Sequence, residues 1–147
     1  MNPSEFIQLG YRLGDGSTEA EWRTAVSRMY YGAFHTACEL IEKCGVTIPT
    51  HQAHTKIPHC LSMATHVGAK MAGKDLQTLR EMRRIADYEL DNREPMDIGW
   101  AQDQKAFTQQ IMDSLAEWAT DATFQTSAES IRKYAKEVLK LPVREQS

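Results

Sequence analysis

The chain has 147 residues, 41% of them hydrophobic, with 17 lysines and arginines against 20 aspartates and glutamates. That is the length of one domain with enough apolar material for a core, and a net charge of −3 with a pI near 5.9 excludes nucleic-acid binding over the whole surface, confining it to a local basic patch. Cys38, Cys44 and Cys60 are an odd set in a chain without a signal peptide, which points to a reducing cytoplasm, and no apolar run approaches the roughly 20 residues of a membrane span.

Apolar residues recur at helical spacing and never alternate over a strand's length, so the chain is expected to be all-α. Asn2-Pro3-Ser4-Glu5 is a helix start, with Asn2 as cap and proline in the first turn. A short helix follows, ended by Gly14-Asp15-Gly16. Thr18-Glu19-Ala20-Glu21 is a capping box that opens the longest helix, to about Cys44. That helix carries two adjoining apolar stripes, one of Trp22, Val26, Met29, Ala33, Ala37, Leu40 and Cys44, the other of Tyr31, Phe34, Cys38 and Ile41. Arg28 and His35 lie two turns apart on its remaining face. Gly32, between them, leaves room for a neighbouring backbone or a ligand.

Residues 50–71 are expected to be helical, with Pro58 starting, kinking or interrupting the helix and Gly73-Lys74 closing it. Asp75 then caps a new helix. In it Leu76, Leu79, Met82, Ala86 and Leu90 share one face, and Arg83 projects into the edge of that apolar arc. Asp87 and Arg80 flank Arg83 by one turn. A charge on a core-facing stripe is costly unless paired or facing a wet cleft, so this helix holds either a buried Arg83–Asp87 pair or the wall of a groove. Arg80, Arg83 and Arg84 make a local basic cluster, which reads either as a solvated face offset by Glu81, Asp87 and Asp91 or as a phosphate clamp. A loop over Asn92–Gly99 leads to an amphipathic helix from Trp100 to about Ala122. A second box, Thr126-Ser127-Ala128-Glu129, opens a last helix that ends before Pro142. Short connectors between long helices predict an antiparallel bundle.

His51, His54, His59, Cys60 and His66 crowd one stretch, but without paired cysteines or a His-Glu-x-x-His pattern, so no metal is assigned. No cofactor is implied either. There is no Gly-rich phosphate loop, nucleophile elbow or dinucleotide fingerprint.

Two stretches resemble a known family. Ala25-Val-Ser-Arg-Met-Tyr-Tyr-Gly-Ala-Phe-His35 is similar to the Ser-Arg-x-Tyr-Tyr-x-x-Phe-His helix of HEPN domains (higher eukaryotes and prokaryotes nucleotide-binding), and Arg83-Arg84-Ile85-Ala86-Asp87-Tyr88 is similar to their Arg-x-x-Ala-Asp-Tyr helix. The order and separation of the two also agree, over roughly residues 1–122. The resemblance implies a four- to five-helix antiparallel bundle, here with an extra C-terminal helix at 126–141, as one domain over 1–147. It implies a homodimer of the toxin–antitoxin or phage-defence type, binding RNA or nucleotide at a dimer cleft, and a partner such as a minimal nucleotidyltransferase antitoxin. Active members are metal-independent ribonucleases with an arginine followed, after four to six residues, by histidine. Here Tyr88 stands where the nearest such histidine would be. The residues the resemblance offers for chemistry are therefore Arg83 on the phosphate, with Asp87, Tyr88 or His35 for the proton. Arg28, Tyr31, Arg80 and Arg84 are offered for RNA or nucleotide binding. The alternative is a catalytically silent dimerisation or docking module.

Overall fold

The computed structural model describes residues 1–145, and the chain is all-α. Among these residues six helices run Ser4–Gly14 (α1), Glu19–Lys43 (α2), Ala53–Leu61 (α3), Val67–Tyr88 (α4), Ile98–Ala119 (α5) and Phe124–Glu137 (α6). Single 3-10 turns at Thr50–Gln52 and Glu94–Met96 precede α3 and α5. Gln146 and Ser147, the end of the expected domain, lie outside the described residues. Among the described residues no helix is long and apolar enough to cross a membrane. The chain divides into two compact units, one of Met1–His35 with Asp75–Ile111, the other of Thr36–Lys74 with the chain from Met112 on.

In the first unit, α1 packs on α2 through glycines. A Cβ on Gly10 would stand 2.8 Å from Met29 Cγ and 3.0 Å from the Ala25 carbonyl. One on Gly32 would stand 2.5 Å from Ile7 Cδ1 and 3.1 Å from the Ile7 nitrogen. The room that Gly32 leaves is thus filled by the neighbouring helix. Ile7, Val26, Met29, Tyr30, Phe34, Leu76, Leu79 and Ile85 form this unit's core. The start of α2 is the expected box: the Glu21 N–H donates to Thr18 Oγ1 at 3.2 Å, and Thr18 Oγ1–H donates to Glu21 Oε1 at 2.9 Å. Bonds from Thr18 and Ser17 hold the Glu21 carboxyl below its ordinary pKa.

In the second unit the core holds Leu40, Ile41, Ile57, Leu61, Leu115, Trp118 and Ile131. Gly45, at φ 95°, turns the chain out of α2, a conformation open to glycine at little cost. Arg132 donates to the Cys44 carbonyl at 2.8 Å and so satisfies an end of α2. An antiparallel bridge joins Val46 to Val143. Cys44 and Cys60 are buried and Cys38 is half-buried; all three are free, and burial pushes each thiol up to about 12.

Three expected boundaries are corrected. The helix expected over 50–71 breaks after Leu61, and α4, which starts at Val67, runs unbroken through Gly73-Lys74, so Asp75 lies inside this helix and not at its start. The glycine serves packing instead, because its Cβ would lie 2.9 Å from Leu61 Cβ and 3.0 Å from the Pro58 carbonyl. The actual cap of α4 is His66, whose Nδ1 accepts the Ala69 N–H at 3.1 Å. The box at Thr126–Glu129 lies inside α6, which begins at Phe124. Asp121 turns the chain there by accepting the Thr123 N–H at 2.9 Å, while Ser127 is buried and its Oγ accepts the Thr65 N–H at 3.0 Å. The last helix stops at Glu137, and Lys140 takes the left-handed region at φ 57°. Smaller shifts place α5 two residues earlier at its start and three at its end. Leu90 falls beyond α4, exposed, and does not extend the apolar stripe.

Gly32→Ala is expected to lower stability by about 1–3 kcal/mol, because the added methyl must displace Ile7 and the α1 backbone. Urea denaturation of the variant checks it. The thiols give a second expectation. Their folded pKa values exceed the unfolded ones, so their contribution is fully present below about pH 9 and is lost as pH rises towards 12. The native protein should therefore react with Ellman's reagent at pH 8 far more slowly than the urea-unfolded chain, and its melting temperature should fall steeply above pH 9.

Candidate functional site

Helix periodicity puts Arg23, Ser27, Tyr30 and Phe34 on one line of α2, with Arg28, Tyr31 and His35 on the adjacent one. The C-terminal half of α4 carries Arg83, Asp87 and Tyr88, and α1 carries Phe6. All belong to the first unit. Side-chain packing draws most of them into one cluster.

Its centre is the Tyr31 ring. The guanidinium of Arg28 lies 5.4 Å from the ring centroid and that of Arg83 5.5 Å. Arg83 also lies 5.4 Å from the Tyr30 ring and 5.9 Å from the Tyr88 ring, and Arg28 lies 5.0 Å from Phe6. Guanidiniums stack well on aromatic faces, and each such contact contributes about 0.5–2 kcal/mol according to how dry it is. His35 is exposed at the cluster's edge, its ring 6.3 Å from Tyr31, 6.2 Å from Phe6 and 5.3 Å from Phe34.

One carboxylate faces the two arginines. Asp87 Oδ2 accepts from Ser27 Oγ at 3.2 Å and lies 3.6 Å from Arg83 Nη1, while Arg28 Nη2 donates weakly to Ser27 Oγ at 3.4 Å. The pair expected at Arg83 and Asp87 is therefore present. It is partly buried, with 12% of the Arg83 side chain and 30% of the Asp87 side chain exposed. Arg83 Nε is buried and makes no hydrogen bond among the described residues. Arg83 is thus held by rings and one carboxylate, and the cluster keeps one positive charge in excess. Such a group suits an oxyanion that brings its own acceptors.

Tyr88, the last residue of α4, points away from Arg83 by its helical angle, yet the long arginine side chain reaches its ring. Two expected members are not brought in. Arg84 is exposed and bound at 3.0 Å through Nε to Glu81 and through Nη2 at 2.5 Å to Glu89; these hydrogen bonds raise its pKa and lower that of Glu81. Arg80 is half-buried and, like Arg84, makes no contact with these rings among the described residues. The basic cluster thus splits, with Arg84 offset on the surface and Arg83 facing the tyrosines.

The sequence reading missed Arg23. It is 7% exposed and donates to five carbonyls: Ile85 at 3.1 Å, Ala86 at 3.0 Å, Glu89 at 3.1 Å, Leu90 at 3.2 Å and Asn92 at 3.0 Å. Glu19 lies 3.6 Å away. The guanidinium thereby satisfies the carbonyl end of α4, where the helix dipole favours a cation. The signal was available: an arginine in register with Ser27, Tyr30 and Phe34 on a helix read as buried must meet acceptors. Ser27 and Phe6 join the site only through packing.

His51, His54, His59 and His66 belong to the second unit. His51 and His59 are exposed and His54 and His66 half-buried, and among the described residues no group of three histidine, cysteine or carboxylate side chains could hold a metal ion. His66 Nε2 lies 3.6 Å from Glu117. Compared with protein-family models, curated proteins and solved structures, the chain matches none.

Arg23→Met is expected to cost about 3 kcal/mol, since it strips a buried cation from several carbonyls at once. Hydrogen exchange of the amides at 85–92 should accelerate beyond that of the α1–α2 core, which global destabilisation alone does not produce.

Proposed function

We propose that the chain is a HEPN-type RNA- or nucleotide-binding protein of the toxin–antitoxin or defence class, working as a homodimer, with its phosphate site at Arg28 and Arg83. The observation that carries this reading is that arginines from two helices converge on Tyr31 with His35 at the rim of the same ring. The two matching motifs lie far apart in the chain and contribute those same residues.

The chemistry follows from the donor set. A phosphodiester oxygen takes hydrogen bonds from the guanidiniums, which also neutralise the charge that grows in the transition state. Tyr88, largely exposed, presents a ring on which a base can stack. For strand cleavage, a base removes the ribose 2′-hydroxyl proton, the 2′ oxygen attacks phosphorus, and the 5′ oxygen leaves with a proton from an acid. The products are a 2′,3′-cyclic phosphate and a 5′-hydroxyl. Histidine is the side chain best suited to such transfers near neutral pH. His35 is the histidine that borders the cluster, and Asp87 is the nearest carboxylate. A docking module without chemistry is favoured by two observations: Asp87 is already tied to Ser27 and Arg83, and Tyr88 stands in place of the family's histidine.

The test is cleavage and binding of a mixed RNA pool by purified protein in EDTA. Wild type is expected to cut, with Arg83→Ala and His35→Ala each slowed about 100-fold or more and Arg28→Ala weakening binding. Cutting that survives Arg83→Ala overturns the assignment of Arg83. A folded dimer that neither cuts nor shifts RNA overturns the RNA reading in favour of the docking module.

A further inference from the structure

Residues 90–98 expose three large apolar side chains within one short stretch: Leu90 at 72%, Met96 at 58% and Ile98 at 43%. Beside them an open groove is lined by Met82, Trp100, Arg93, Glu94, Asp97 and Asp103, among others. Exposed apolar groups gathered in this way, with polar groups around them, are what interaction faces present.

The charge around them is one-sided. From Asp87 to Asp103 the chain has six carboxylates, at 87, 89, 91, 94, 97 and 103, and one base, Arg93. Asp87 is engaged by Arg83 and Glu89 by Arg84. Among the described residues no ion pair reaches Asp91, Glu94, Asp97 or Asp103. A nucleic acid is repelled by such a surface. A second copy placed here across a two-fold axis would set the same carboxylates against one another, at a cost of several kcal/mol.

The backbone carrying these groups is also held in place. Arg23 binds the carbonyls of Glu89, Leu90 and Asn92, and the Asn92 side chain accepts the Glu94 N–H at 3.0 Å. A face whose backbone is already ordered loses less entropy when a partner docks.

We propose that residues 90–98, with the groove at Trp100, are a docking face for a cationic amphipathic segment of a partner protein. The segment's apolar side chains meet Leu90, Met96 and Ile98, and its lysines or arginines meet Glu94, Asp97 and Asp103. This inference does not rest on the phosphate site, and the variants that test it leave Arg28, His35 and Arg83 in place.

The probe is a synthetic leucine–lysine amphipathic peptide of about five helical turns, set against a leucine–glutamate peptide of the same pattern and titrated calorimetrically into the full chain. The lysine peptide is expected to bind, more weakly at high salt, and the glutamate peptide is expected not to bind. Leu90→Ser/Met96→Ser and, separately, Glu94→Gln/Asp97→Asn should each weaken binding about tenfold or more, a loss of about 1.4 kcal/mol per decade. The Asp97→Asn change keeps a side-chain oxygen for the Gly99 N–H, which Asp97 accepts at 2.9 Å. Met63→Ser/Met71→Ser is the control. It removes exposed apolar groups from a stretch, 43–74, that has no carboxylate, and it should leave binding unchanged. Equal binding by all variants overturns the proposal. So does light scattering in which the wild type self-associates and Leu90→Ser/Met96→Ser is monomeric, because the face is then covered by a second copy.

Discussion

The arrangement of the candidate site depends on one buried cation. A helix ends with carbonyls that have no partner within it, and in a packed environment each such group must find a donor. Arg23 supplies donors to the end of α4 and to the chain that leaves it, five carbonyls in all. Only a guanidinium spreads enough donors over a plane to do this from a single side chain. It sets where α4 stops relative to α2. That in turn places Asp87 against Ser27 and Arg83 against the tyrosines.

Two further arginines then share one tyrosine ring. In water their repulsion is weak, but partly buried it needs an offset. The aromatic faces of Phe6, Tyr30, Tyr31 and Tyr88 provide part of it and Asp87 the rest. The result is a cluster that is stable without a ligand and still carries excess positive charge. An ordinary structural ion pair would have balanced its charges and filled its hydrogen bonds. Arg84, on the surface one residue away, is the contrasting case: two glutamates offset its charge and accept its hydrogen bonds.

Much of the helical content could be read in advance because it rests on local physics. The Thr18–Glu21 box, the two stripes of α2 and the pairing of Arg83 with Asp87 each involve residues within one or two turns of each other. The failures were of another kind. Gly73 reads as a helix stop by its conformational freedom, yet it is retained inside α4 because α3 passes too close for a side chain. Ser127 reads as a cap, yet it is a buried partner of Thr65. In both cases a contact distant in sequence overrides a local preference, since helix propensities amount to only about 1 kcal/mol per residue.

The amino-acid sequence by itself determined the all-α class, the positions of α2 and α5 to within a few residues, and the two motifs whose arginines, tyrosines and histidine make up the candidate site. Periodicity and capping are short-range, so they can be read along the chain. The tertiary structure decided which of those residues meet. It brought Arg28, Tyr31, His35, Arg83 and Asp87 together, left Arg80 and Arg84 outside, and recruited Arg23, Ser27 and Phe6. That selection depends on how far a flexible side chain reaches and which buried carbonyls need a donor. Both are set by packing between helices, which no single helix records.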